Sequence, residues 1–191
     1  PPPLEGRYRT GDFGDYVFTV GRLDRMKRVD LLIRAMKHTR TPVRACIAGA
    51  GPGGKDLEQL IDQLGLRGRV ELVGRVDDQR LIDLLAGSLA VFYAPFDEDY
   101  GYVTVEAFKS GKPVLTATDS GGVLEFVEDG RNGFVCEADA PRVFASHIDR
   151  LYRDRALGRE MGEVGRRRVE NLTWDHVIER LTGQRSAGAG G

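Results

Sequence analysis

The sequence predicts an α/β domain, a Rossmann-like doubly wound parallel sheet, on three observations. Short apolar runs alternate along the chain with stretches of helical periodicity. The runs are apolar throughout rather than at every second position, as in strands covered on both faces. The first three stop at a glycine, Gly21, Gly49 or Gly74, where a strand gives way to a turn.

Tyr16 to Val20 is aromatic and β-branched, and predicts the first strand. Val29 to Lys37 carries apolar residues at 29, 32, 33 and 36, a helical spacing. Val43 to Ala48 is the second strand. Leu57, Leu60, Ile61 and Leu64 give one face of a helix over Asp56 to Leu64. Val70 to Val73 is the third strand, and Asp77 can cap the helix that runs through Leu81, Ile82, Leu84 and Leu85. Ala90 to Tyr93 is the fourth strand, with a helix from Val103 to Phe108 after it. Pro113 to Thr116 and the short Gly133 to Val135 complete the strands. Pro141 to Tyr152, Arg155 to Val169 and Trp174 to Leu181 are the closing helices. Residues 1–15 read as a linker or incoming segment, 16–182 as the ligand-binding domain, and 183–191, rich in glycine, as a flexible tail.

Composition narrows the function. The chain has 191 residues, enough to bury a sizeable core. Its 28 Lys and Arg nearly cancel its 29 Asp and Glu, so no global field points to nucleic acid or an anionic membrane. No apolar run approaches the roughly 20 residues that cross a bilayer. Cys46 and Cys136, in apolar surroundings without a spacing pattern, read as buried thiols of a reducing compartment, and cytoplasm is the expectation. The short basic cluster Arg166-Arg167-Arg168 reads as a solvated face.

Ligands of doubly wound sheets bind beyond the carboxyl ends of the strands, so the chemistry is sought in those loops. After the first strand, Gly21-Arg22-Leu23 leads to Lys27, two cations five residues apart before a helix, able to grip a phosphate. After the second strand, Gly49-Ala50-Gly51-Pro52-Gly53-Gly54 matches the dinucleotide fingerprint in letters. It follows the wrong strand, and Pro52 lacks an N–H; a tight strand-to-helix turn explains it better. After the fourth strand, Asp97-Glu98-Asp99 allows two readings. Asp97 and Asp99 resemble a metal-binding acidic pair. Alternatively, Glu98 and Glu106 bracket a helix start: Glu98 accepts from sugar hydroxyls, the amides of Gly101, Tyr102 and Val103 face an anion, and Glu106 binds a ribose diol. The paired Gly121-Gly122 after the fifth strand lets backbone approach a ligand.

These segments resemble family-4 retaining glycosyltransferases of the GT-B kind. Gly21-Arg22-Leu23 with Lys27 is similar to their G-R-L-x-x-x-K segment, and Gly49 to Pro52 to their G-x-G-P turn. Glu98 through Glu106, then Ala107 to Val114, resembles the E-x7-E-A-x-x-x-G-x-P-V signature. Gly121 to Glu125, and Asp129-Gly130 through Val135, resemble the G-G-x-x-E and D-G-x-x-G-F-V blocks. Asp99-Tyr100 stands where Gly-Phe is common, and Tyr102 replaces an aliphatic residue.

The resemblance implies a donor-binding half of a two-domain enzyme that transfers a sugar from a nucleoside-diphosphate sugar to an acceptor. Arg22, Lys27 and Glu98 would be its catalytic residues: the two cations on the diphosphate, Glu98 on the transferred sugar. Gly21, Gly101, Tyr102 and Val103 would hold phosphate and sugar, Glu106 the ribose, and Arg75 and Val76 the base. Neither metal nor other cofactor is expected. An acceptor glycan or lipid would be bound mainly by an N-terminal domain, which would also carry a catalytic histidine. His38, His147 and His176 lie outside the loops above. The full enzyme is expected in the cytoplasm or on the inner membrane face. Two alternatives stand beside this reading: an NAD(P)-dependent oxidoreductase domain, resting on Gly49 to Gly54, and a non-catalytic sugar-nucleotide-binding module.

Overall fold

The computed structural model describes residues 8–170 and 172. Its strands are β1 (Tyr16–Val20), β2 (Arg44–Ala48), β3 (Val70–Gly74), β4 (Ala90–Phe92), β5 (Val114–Ala117) and β6 (Gly133–Cys136). Its helices are α1 (Val29–Met36), α2 (Gly54–Gln63), α3 (Asp78–Ala86), α4 (Tyr102–Lys109), α5 (Pro141–Arg153) and α6 (Arg155–Val169). The six strands form one sheet in the order β3-β2-β1-β4-β5-β6, and every pairing is parallel. After β3 the chain returns to lay β4 beside β1. That reversal opens a crevice at the carboxyl ends of β1 and β4.

The continuous apolar strands of the sequence have their reason in two separate cores. Side chains of a strand alternate between faces. Val17 and Phe92 join one core with Leu32, Ile33, Met36, Phe144 and Ile148, under α1 and α5. Phe18, Val91 and Tyr93 join the other with Leu85, Val105 and Phe108, under α3 and α4. Phe18, Phe92 and Phe108 are fully buried, each worth roughly 1.5–3 kcal/mol against exposure. A strand buried on both faces has no polar position to spare.

Most element limits lie within two residues of the sequence expectation. Asp77 does cap α3, accepting from the Arg80 amide at 2.8 Å. Two short 3-10 turns, Arg25–Lys27 and Gly122–Glu125, were not expected, and both lie in rim loops. The helix expected over Trp174 to Leu181 lies outside the described residues. Residues 8–15 pack on the domain: the fully buried Lys112 donates to the carbonyls of Gly11 (2.9 Å) and Asp12 (3.0 Å), and Arg155 to that of Phe13 (3.0 Å).

Candidate active site

The loop after β1 is shaped by Asp24, whose carboxylate accepts from the amides of Met26 (3.0 Å) and Lys27 (3.1 Å). This cap starts the 3-10 turn and turns Lys27 inward, toward the loop after β4. There the Lys27 ammonium is ion-paired with Glu98 and lies 3.4 Å from the Tyr93 hydroxyl. Burial first, then the Glu98 carboxylate, pushes the Tyr93 phenol well above its ordinary value, so it stays protonated. Arg22 differs from Lys27: its side chain is 72% exposed and lies 3.5 Å from the Asp24 carboxylate.

The loop after β4 is locked to the loop after β5 by backbone contact. Glu98 bridges Gly121, and the Gly122 amide donates to the Glu98 carbonyl at 2.7 Å. A Cβ on Gly121 or Gly122 would fall 2.6 or 2.2 Å from the backbone of Glu98 or Asp99. The glycine pair therefore serves loop-to-loop packing. Gly101, at φ 74°, opens α4 without a side-chain cap; the Thr104 amide donates to the Gly101 carbonyl at 2.9 Å, and the Tyr102 and Val103 amides come too early in the helix for an intrahelical acceptor. Tyr102 is exposed and packs against Tyr100, 4.8 Å between ring centres with the rings tilted by 46°. Glu106, one turn into α4, accepts from the Tyr8 hydroxyl at 2.7 Å. Burial raises the Glu106 carboxyl above the ordinary carboxylate range, and the Tyr8 bond opposes that rise.

A cavity of about 680 Å³ opens at the carboxyl ends of β1, β2 and β3, lined by Gly21, Arg22, Gly49, Pro52, Arg75 and Val76 among others. Grooves of similar size, about 640 and 620 Å³, lie over α2 and β3 and between α1 and α2. Position rather than volume distinguishes the first, because it lies at the carboxyl ends of parallel strands, where doubly wound sheets bind ligands. The site residues expected from the sequence thus form four groups on the rim loops. Gly21, Arg22, Arg75 and Val76 share the cavity; Lys27 meets Glu98; Gly101, Tyr102 and Val103 open α4; Glu106 meets Tyr8.

The glycine run after β2 has a structural duty. The Gly49 amide donates to the Gly74 carbonyl (2.7 Å), Gly53 to Leu23 (2.8 Å) and Gly54 to Gly51 (3.2 Å). With those amides engaged and Pro52 lacking one, no ring of free N–H groups is left for a pyrophosphate. A Cβ at Gly49 would stand 1.9 Å from the Gly21 carbonyl oxygen, so the glycine lets the first two rim loops touch. This is the strand-to-helix turn expected.

Asp97 and Asp99 are exposed, and among the described residues no group of three or more His, Cys, Asp or Glu side chains could hold a metal ion. His38 follows α1, and His147 in α5 stacks on Phe134 at 4.0 Å; His176 lies outside the described residues. Sequence reasoning missed Tyr93, Tyr8 and the ion pair of Arg28 with Asp119. Tyr93 ends the apolar run of β4, where only its hydroxyl hinted at a second role. Tyr8 lies in the segment read as linker, and no local signal ties it to Glu106. Arg28 was masked by the neighbouring cations.

The fold and the rim loops define a doubly wound α/β domain that carries charged groups at the carboxyl ends of its strands. The chain belongs to the family "Glycosyl transferases group 1", whose sequence model matches residues 11–168. It is 32% identical over 175 residues to the D-inositol 3-phosphate glycosyltransferase of Gordonia bronchialis, covering 85% of this chain and 38% of that protein. It is 34% identical over 128 residues to the human alpha-1,3/1,6-mannosyltransferase ALG2, covering 66% of this chain and 30% of that one. Among solved structures, Anabaena Alr3699/HepE in complex with UDP and glucose superposes with a TM-score of 0.80 at 27% identity, over 90% of this chain and 49% of that chain. The pneumococcal O-GlcNAc transferase GtfA shares the fold, with a TM-score of 0.82 at 22% identity over 94% of this chain and 37% of that one. The Rossmann-like half of a GT-B architecture is the fold observed. The chain spans less than half the length of these relatives. The family match also weighs against the oxidoreductase alternative. Among the described residues no helix is long and apolar enough to cross a membrane.

Proposed function

We propose that this chain is the donor-binding domain of a retaining glycosyltransferase, holding a nucleoside-diphosphate sugar across the rim of its sheet. The observation that carries the reading is the meeting of Lys27 with Glu98 beside the Arg22 cavity, on loops of three neighbouring strands. The UDP and glucose held by the Anabaena relative support it. In this reading the base lies by Arg75 and Val76, the ribose reaches Glu106, and the diphosphate lies between Arg22, Lys27 and the amides of Gly101, Tyr102 and Val103. Glu98 then accepts from the hydroxyls of the transferred sugar.

During transfer the bond from the anomeric carbon to the β-phosphate oxygen breaks, and its electron pair leaves with the nucleotide. The acceptor oxygen forms the new bond on the same face, and its proton passes to the departing phosphate. No covalent sugar–enzyme bond is needed. Negative charge grows on the leaving phosphate, so cations placed beforehand stabilise the transition state more than the ground state. At an effective dielectric near 20, each close cation–phosphate contact is worth on the order of a few kcal/mol. The pairing of Lys27 with Glu98 serves both roles, since one ion pair points the ammonium at phosphate and the carboxylate at sugar.

The longer protein is assigned an N-terminal domain that holds the acceptor, no metal requirement, and a place in the cytoplasm or on the inner membrane face. Calorimetric titration of the 191-residue chain with UDP, GDP, ADP and NAD(P) tests the reading. One nucleoside diphosphate is expected to bind, its sugar conjugate likewise, with no transfer by the isolated chain. Binding of NAD(P) without any nucleoside diphosphate would contradict it.

A further inference from the structure

Arg28 is one of two non-glycine residues with positive φ among the described residues, at φ 47° and ψ 41°. Glycine takes this conformation freely and arginine does not. The side chain shows what holds it there. Nε donates to the Ala94 carbonyl at 2.7 Å, and Nη2 to that of Pro95 at 2.7 Å. Nη1 and Nη2 also clasp the two oxygens of Asp119, at 2.8 and 2.6 Å. Four bonds from one planar guanidinium fix it in a single orientation, which the three rotatable donors of a lysine do not reproduce.

These bonds join three rim loops. Arg28 directly follows Lys27 in the loop after β1. Ala94 and Pro95 begin the loop after β4, which carries Glu98, and Asp119 lies in the loop after β5. The backbone repeats the connection: the Phe96 amide donates to Met26 (2.8 Å), the Asp97 amide to Asp119 (3.0 Å), and the Gly122 amide to Glu98 (2.7 Å). Arg28 and Asp119 thus act one residue away from each end of the Lys27–Glu98 contact. Asp97, the other positive-φ residue at 46°, is the link through which Asp119 reaches Glu98.

We propose that Arg28 and Asp119 are a positioning pair that sets Lys27 against Glu98 and thereby fixes how tightly the rim holds a donor diphosphate. The geometry stands alone, and the diphosphate rests on the proposed function. Arg28→Gly is an informative variant, because it relieves the backbone and removes the clasp together. Asp119→Asn keeps the shape and removes the charge.

Amide hydrogen exchange and UDP calorimetry on the 191-residue chain read the two parts separately. Arg28→Gly and Asp119→Asn are each expected to speed exchange at Asp97 and Gly122 about tenfold or more, leaving Phe18 and Ile47 in the sheet unchanged. Both are expected to weaken UDP binding about tenfold or more, the double variant being no worse than either single one. Unchanged exchange in the loops would overturn the proposal. So would loosened loops with unaltered UDP affinity, which is a merely structural role, or equal acceleration in loops and sheet. If the unaltered chain binds none of UDP, GDP and ADP, the donor reading falls and the exchange data alone decide whether the pair sets the loops; if it binds GDP or ADP instead, that nucleotide replaces UDP in the calorimetry. Should Arg28→Gly fail to fold, Arg28→Lys, which keeps the charge and loses the fork, takes its place with the same expected outcomes.

Discussion

Gly101 and Lys27 show how much of this rim depends on single atoms. Gly101 holds φ 74° at the start of α4, and a Cβ there would stand 2.6 Å from Val123 Cγ2. Gly101→Ala must distort the backbone or push Val123 aside, at about 1–3 kcal/mol, and a thermal melt is expected to record a fall in Tm of several degrees. Lys27 contributes through charge. In a two-domain enzyme that carries this chain, Arg22→Ala and Lys27→Ala are each expected to lower kcat roughly a hundredfold or more and to weaken donor binding about tenfold. Steady-state kinetics with an unchanged kcat would remove them from the mechanism. At this scale the sequence showed the charged residues but not their partners. Arg22, Lys27, Glu98 and Glu106 stood out by type and spacing. The Tyr8–Glu106 and Arg28–Asp119 contacts span 98 and 91 positions and left no local trace.

Elements were more legible than contacts, because periodicity is a local property. Every described strand and helix was expected, since two-sided burial makes strands apolar throughout and one-sided burial makes helices amphipathic. Limits slipped where the first turn is polar or glycine-led: α2 starts at Gly54 rather than Asp56, and α4 at Tyr102 rather than Val103. The 3-10 turn at Arg25–Lys27 escaped because a single capped turn has no period to read; its signal was Asp24 alone. Residues 8–15 escaped for a different reason. They are held by Lys112 and Arg155 through backbone carbonyls, and carbonyls carry no sequence signature. Lys112→Met keeps the buried stem and leaves the carbonyls of Gly11 and Asp12 unpaired. Its expected cost is about 1–3 kcal/mol, with faster amide exchange in residues 8–15 than in the sheet. Equal protection of that segment in both proteins would show that Lys112 does not hold it.

Over the whole molecule, the order β3-β2-β1-β4-β5-β6 is what brings distant segments to one crevice. The sequence supplied the alternation and the family resemblance, while the order follows from packing helices on both faces of a right-handed parallel sheet. The same burial sets the chemistry of the two thiols. Desolvation pushes Cys46 up to about 11 and Cys136 to about 12. Both are expected to resist a thiol reagent at pH 8 in the folded chain and to react on unfolding. Because the folded values lie above the ordinary value of 9.0, each thiol's contribution to stability is complete below about pH 9 and is lost as pH rises toward 11 and 12. Denaturant melts across that range check the sign.

The central claim is that one rim of this sheet receives a nucleoside diphosphate. Amide chemical shifts of the labelled chain, followed during titration with UDP, GDP and ADP, test it most directly. The account expects one of the three to move Gly21, Arg22, Arg75 and the Gly101–Val103 amides together, with no response in the grooves beside α2. Shifts gathered over α2, or none with any of the three, would contradict it.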